Sequence, residues 1–358
     1  MRILQLSPLW FPVARDSHGG IETFLTRLVS ALGRLGCEIT VLASDDSRVE
    51  AELLPVGRDH VAGLMRTGAA EEYSYHEQHQ LHLALRHASR FDVVHSHLGA
   101  GAYVLSAVDG LRDRVLHTVH TPVYGDMARF AAEHPEVWFS TVSHYQAAKL
   151  WPHNPAGRRV IHNGIDPSEF AGRSGGGGGL VFVGRMEWVK GPDIAVQVAR
   201  TLGCALTLAG PVVEQGFFEQ GIQPFLDARI RYVGIVDHRQ KSDLFGQADC
   251  VILPFRREEP FGLVAIEAMA CGAPVVSLAR GALPEIVEPG VNGYLAGSEQ
   301  ELPDRVNDAM ALDRSTVRRA VVARFDIAET ARRYLQLYEE MMDAQHGRVS
   351  AARKAARR

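Results

Sequence analysis

Two carboxylates eight positions apart, Glu259 and Glu267, enclose Pro260-Phe261-Gly262-Leu263 and a short apolar run. Upstream, Val183-Gly184-Arg185 and Lys190-Gly191 set two cations beside glycines. Carboxylates accept hydrogen bonds from vicinal hydroxyls, and cations grip phosphate oxygens. On adjacent loops of one sheet, the two sets have the chemistry to hold a sugar joined to a diphosphate.

Arg185 stands at the carboxyl end of an expected strand over 180–183, where its planar fork can grip two phosphate oxygens. Lys190 lies near the start of the next helix, whose first amides also favour an anion. Either cation alone would read as surface charge; the two together, flanked by glycines after a strand, favour phosphate. Glu259 falls in the loop after a strand at 250–254, and Phe261, Gly262 and Leu263 open a helix over 261–271. A carboxylate and helix-start amides can together serve several hydroxyls of a hexose. Glu267 lies among Ala268, Met269 and Ala270, a setting in which a carboxylate needs a partner. A ribose diol is one such partner, and a salt bridge is the plainer alternative.

The first half offers Ser17-His18-Gly19-Gly20-Ile21-Glu22 after its first strand. Paired glycines opening a helix let a ligand come close to the backbone. No GxGxxG follows and no Gly-Lys-Ser/Thr occurs, so neither the dinucleotide fingerprint nor a P-loop is present. His120, in His117-Thr118-Val119-His120-Thr121-Pro122, falls at a strand's carboxyl end and suits acid–base work. His117 reads as structural. His95 and His97 share one strand face without a third ligand, so no metal site is expected there. Asn163-Gly164-Ile165-Asp166 reads as a turn, and the chain holds no Asp-x-Asp of the kind that carries a metal-held diphosphate. The two cations would have to do that work.

These residues need a frame. The chain has 358 residues, enough for two domains, and a net charge of −4 gives no reason to expect a nucleic-acid partner. Cys37, Cys204, Cys250 and Cys271 are far apart beside apolar runs, as buried free thiols of a reducing compartment would be. No leader and no bilayer-length apolar run are visible, so a cytoplasmic protein is expected. The last residues carry Arg348, Arg353, Lys354, Arg357 and Arg358 without an acid. A solvated terminus is the main reading, and weak peripheral contact with an anionic membrane the lesser one.

Short apolar runs at 3–6, 39–43, 93–95, 115–119 and 139–142 alternate with helical spacing at 22–34, 75–88 and 144–150. After Gly175 to Gly179 the alternation restarts, with strands at 180–183, 205–208, 231–233, 250–253 and 274–277 and helices at 193–202, 240–248 and 261–271. This pattern predicts an α/β protein of two Rossmann-like, doubly wound parallel-sheet domains, residues 1–170 and 175–325, joined by a flexible glycine connector. A final helix, about 327–345, packs back on the first domain or across both. Two such sheets would face each other across a cleft, with ligands at the strands' carboxyl ends.

In this order the motifs resemble those of the family 4 glycosyltransferases, retaining enzymes of GT-B fold. His18-Gly19-Gly20-Ile21-Glu22, His117 to Pro122, Asn163-Gly164-Ile165-Asp166, Val183-Gly184-Arg185 with Lys190-Gly191, and Glu259 to Glu267 carry the resemblance. It implies a metal-independent transfer of a hexose-type sugar from a nucleotide-diphosphate sugar, a UDP-sugar first and GDP- or ADP-sugars as alternatives. No separate cofactor is implied, and the second domain is the nucleotide-sugar-binding one. Arg185 and Lys190 would hold the diphosphate. Glu259, with the amides of Phe261, Gly262 and Leu263, would bind the sugar, and Glu267 the ribose. Ile235 and Val236 would flank the base, Gly19 and Gly20 would approach the diphosphate, and His120 would contact the donor sugar. The acceptor, whether small molecule, glycan or lipid-linked, is left open, since residues 45–90 show no recognisable signature. An epimerase that hydrolyses its donor on the same fold, or a noncatalytic nucleotide-sugar binder, are the competing functions.

Overall fold

A computed structural model describes residues 1–154, 158–170 and 176–355, with side chains as far as His346. The basic side chains of Arg348, Arg353, Lys354, Arg357 and Arg358 lie outside the described residues, as do Ser174 and Gly175. The chain forms two compact units, residues 1–164 with 327–358, and residues 165–326.

In the first unit six strands pair in the order β3-β2-β1-β4-β5-β6: β1 (Arg2–Leu6), β2 (Glu38–Ala43), β3 (Glu52–Pro55), β4 (Val93–Ser96), β5 (Val115–Val119) and β6 (Trp138–Thr141). Every pairing is parallel. The strands read as near-continuous apolar runs because helices cover the sheet, and Ile3, Leu4, Leu6, Val93, Val115 and Leu116 are fully or almost fully buried. The expected helix at 22–34 begins two residues earlier, as Gly20–Arg34. The final helix runs Ile327–Ala355, longer than its apolar pattern, and belongs to this unit, where it packs on helix Gly20–Arg34. Its buried face is Ala331, Tyr334, Leu337, Tyr338 and Met341.

The second unit repeats the plan: β7 (Leu180–Val183), β8 (Leu206–Ala209), β9 (Ile230–Tyr232), β10 (Cys250–Leu253), β11 (Val275–Leu278) and β12 (Gly293–Ala296), in the order β12-β11-β10-β7-β8-β9. Counted from its own first strand, each sheet has the 3-2-1-4-5-6 order of the doubly wound fold. The order reverses between β1 and β4 in one unit and between β7 and β10 in the other.

Sequence reading missed two of the four edge strands, β3 and β12, and found the other two, β6 and β9. Edge strands bury less, so Glu52 and a terminal Pro55 are tolerated in β3 and the apolar signal thins. Gly176 to Gly179 also differ from the expected free connector. They lie inside the second unit, where the Asp249 carboxylate accepts from Gly177 and Gly179 and the Gln247 carbonyl from Gly178. All four cysteines are free, Cys250 and Cys271 buried and Cys37 and Cys204 half-buried. Among the described residues no helix is long and apolar enough to cross a membrane.

Candidate active site

In the second unit the charged residues gather where the strand order reverses. Gly184 to Gly191 leaves β7, and the loop carrying Glu259 leaves β10, the neighbouring strand. The first loop folds on itself: Lys190 N–H donates to the Glu187 carbonyl at 3.1 Å, and Gly191 N–H to that of Trp188 at 3.2 Å. Gly191 then turns left-handed (φ 69°) and caps helix Pro192–Leu202, its α-carbon so near β10 that a Cβ would sit 2.3 Å from the Pro254 carbonyl oxygen.

That turn delivers Lys190 to the second loop. Its Nζ lies 2.6 Å from Glu259 Oε2 and 4.7 Å from the centre of the Phe255 ring. Both partners keep about a fifth of their side-chain surface accessible, 20% and 21%, so solvent and ligands reach them. Arg185 is exposed and lies 2.7 Å from Oε1 of the buried Glu187, an ion pair without the alignment of a hydrogen bond. Behind the loops a buttress holds the geometry: Arg256 grips Asp193 with two bonds of 2.6 and 2.7 Å and its guanidinium stacks on Trp188.

Gly262, left-handed at φ 96°, caps helix Leu263–Ala270. The helix thus opens two residues later than the sequence pattern suggested, and the buried Phe261 precedes it. By helix geometry the amides of Gly262 and Leu263 have no intrahelical carbonyl to bond. Glu267 is 4% exposed within this helix and pairs with Lys241 Nζ at 2.7 Å. The plainer of its two sequence readings is therefore met by a residue on the preceding helix, His238–Gln247, which no spacing rule singled out. Gly234 to Val236 follows β9, with Ile235 exposed and Val236 half-buried.

The Glu259 loop rests on Gly281, whose φ is +59° and whose added Cβ would sit 2.3 Å from the Glu259 carbonyl oxygen. Gly281→Ala is expected to displace Glu259 and to cost about 1 kcal/mol or more of stability. Thermal melts and transfer assays check this, activity falling further than the melting point explains.

In the first unit Gly19 and Gly20 sit at the start of helix Gly20–Arg34. The Glu22 carboxyl folds back over Gly19, so that a Cβ there would lie 1.9 Å from Oε2. Burial pushes this carboxyl up to about 7, against backbone hydrogen bonds at Glu22 and Phe11. Glu22 thus occupies a helix start that the sequence reading gave to a ligand. His120 directly follows β5, and its Nε2 is 2.8 Å from His97 Nδ1. Burial brings His120 down to about 3, so the imidazole is neutral at physiological pH. The buried His117 bonds Ser106 Oγ at 3.0 Å, the structural role expected of it.

Two doubly wound units, with cations and a carboxylate at a strand-order reversal, define a GT-B type of enzyme. Residues 18–169 match the model of Glycosyltransferase Family 4, and residues 172–323 that of Glycosyl transferases group 1. The chain belongs to this family of glycosyltransferases. A D-inositol 3-phosphate glycosyltransferase of Mycolicibacterium smegmatis is 29% identical, the match covering 98% of this chain and 93% of the relative. Among solved structures, AviGT4, a glycosyltransferase involved in avilamycin A biosynthesis, has a TM-score of 0.74 at 23% identity, over 96% of this chain and 98% of that one. Anabaena HepE in complex with UDP-glucose has a TM-score of 0.69 at 19% identity, over 96% and 100%. At such identities the structures speak for the fold.

Proposed function

We propose that the chain moves a hexose from a nucleotide-diphosphate sugar, a UDP-sugar in the first instance, to a hydroxyl acceptor with retention of anomeric configuration and without a metal. The observation that carries this reading is the Lys190–Glu259 pair, 2.6 Å apart beside the start of helix Leu263–Ala270. A ligand with phosphate at one end and hydroxyls at the other can divide such a pair, the ammonium turning to phosphate and the carboxylate to hydroxyls. Arg185 adds a second cation from the same loop, and the amides of Gly262 and Leu263 donate to the sugar. Ile235 and Val236 flank the base, and Glu267, held by Lys241, takes the ribose.

As the glycosidic bond breaks, negative charge grows on the departing diphosphate. Lys190 and Arg185 meet that charge with fixed positive groups and so lower the barrier. The acceptor oxygen approaches from the leaving-group face, and the departing phosphate takes its proton. His120, neutral, bonds a hydroxyl of the donor sugar, and Gly19 and Gly20 admit the diphosphate once the Glu22 carboxyl swings off Gly19. UDP-glucose in the HepE complex supports the choice of donor. The relative's name puts D-inositol 3-phosphate at the head of the acceptor panel.

A thermal-shift screen of UDP-, GDP- and ADP-sugars tests the donor, since a ligand bound only by the folded state raises its melting point. Lys190→Ala is expected to weaken UDP binding by about tenfold or more, as loss of a charge-assisted bond does. Calorimetric affinity equal to wild type would remove Lys190 from the diphosphate site.

A further inference from the structure

The first unit buries a line of polar side chains where its fold calls for apolar ones. Gln5 pairs with His95 across β1 and β4, and Thr118 with Ser140 across β5 and β6. All four are 0–2% exposed, as are Tyr334 and Tyr338 of the C-terminal helix, and His97 is 3% exposed. A buried polar group without partners is costly, so such a line persists only when each member is satisfied.

Its hydrogen bonds have one consistent direction. Gln5 Nε2 donates to the Tyr338 hydroxyl at 3.3 Å, which leaves Gln5 Oε1 facing His97 Nε2 at 2.8 Å. An amide oxygen only accepts, so the hydrogen of His97 is on Nε2 and its Nδ1 is bare. A neutral imidazole has one donor and one acceptor. His97 Nδ1 therefore accepts from His120 Nε2 at 2.8 Å, and the hydrogen of His120 is on Nε2. Beyond Gln5 the same sense continues. The Tyr338 hydroxyl donates to His95 Nδ1 at 2.7 Å, His95 Nε2 to Thr118 Oγ1 at 2.7 Å, and Thr118 to Ser140 Oγ at 2.7 Å. Turning the Gln5 amide over would reverse every bond and move the His120 hydrogen to Nδ1. The line thus has two states, and Gln5 sets which one His120 shows. Burial keeps both rings neutral: His97 is held well below the usual histidine range and His120 at about 3.

We propose that Tyr338, Gln5 and His97 are positioning residues, a relay that fixes His120 as the Nε2–H tautomer and leaves Nδ1 as an acceptor for a substrate hydroxyl. The substrate clause rests on the role of His120 given above; the tautomer does not.

Long-range nitrogen–proton NMR of histidine side chains in the full chain reads the tautomer, with the His120 signal assigned by its loss in His120→Asn. Wild type is expected to show the Nε2–H form alone. Tyr338→Phe removes the hydroxyl that links Gln5 to His95 and is expected to give mixed tautomers, with kcat about fivefold lower and the donor KM unchanged. Tyr334→Phe is the control. It deletes an equally buried hydroxyl of the same helix, 3.2 Å from Thr118 Oγ1, whose hydrogen already has Ser140. It should keep the single tautomer and wild-type kcat. Should Tyr338→Phe not fold, Gln5→Met frees His97 with the same expected mixture. An Nδ1–H wild type, or a single unchanged tautomer in Tyr338→Phe or Gln5→Met, overturns the relay. Full transfer by His120→Asn would instead overturn only the contact of His120 with substrate.

Discussion

Glu259→Ala is expected to lower sugar transfer on the order of a hundredfold while leaving UDP affinity within about twofold or slightly tighter. The two effects separate because the proposed function gives Glu259 two partners in turn. Without ligand its carboxylate is held by Lys190 at 2.6 Å. On the proposed reading it serves sugar hydroxyls once donor is bound, and a bond between a charged group and a hydroxyl contributes roughly 1.5–3 kcal/mol. Removing it costs the transfer step that amount or more, since hydroxyls left facing an empty place are also mis-set for attack. UDP has no transferred sugar and loses nothing; Lys190, freed of its counter-ion, faces the phosphates without competition. The pair keeps about a fifth of its surface in water, so its loss costs stability little. Calorimetry with UDP and steady-state transfer on one preparation decide the matter. Undiminished transfer, or UDP affinity lost in step with it, would take Glu259 out of the sugar site. Glu259→Gln, which keeps an acceptor oxygen, should recover part of the rate.

Most strands that position this site were legible because a parallel sheet buries both faces, so β1, β4, β5, β7 and β10 announce themselves as apolar runs. The edge strand β3 was not, since water on one side admits Glu52 and Pro55, nor was β12, whose Gly293-Tyr294-Leu295-Ala296 is short and half-buried at its centre. Lys190 and Glu259 were legible through position, each in a loop leaving one of two strands that the fold makes neighbours. Their counter-charges were harder. Glu187 is two residues from Arg185, a spacing carrying no rule for a loop, and Lys241 reaches Glu267 from another helix. The relay was least visible of all. The sequence reading weighed His95 and His97 as metal ligands and set them aside, but Gln5 and Tyr338 are 333 residues apart and meet only once the last helix docks. Tyr334, at the centre of that helix's buried face, was passed over for the same reason.

The same buried histidines make the first unit acid-labile. In an unfolded chain a histidine binds a proton near pH 6.5. In the folded unit burial holds His117 at about 3 and His95 and His97 well below their usual range. Below pH 6.5 the unfolded state therefore binds more protons, and stability falls as pH falls. Each such histidine costs about 1.4 kcal/mol per pH unit until its folded value is reached. Glu22 works against them. Its carboxyl, raised to about 7 by burial, takes a proton in the folded unit before the unfolded chain does, and gains stability as pH falls from about 7 to its ordinary 4.5. Four lowered histidines, His120 among them, outweigh the one raised carboxyl, so the first unit loses stability as pH falls below 6.5. Hydrogen–deuterium exchange can follow each unit by itself. Peptides from β4 and β5 should lose protection steeply over this range, while those from β7 and β10, in a unit whose single histidine, His238, is half-buried, hold theirs until the carboxylates titrate. Glu22→Gln removes the opposing term and should steepen the loss in the first unit. Equal protection of both units down to pH 5 would mean that the folded histidines accept protons freely, and the neutral relay through His97 could not then stand.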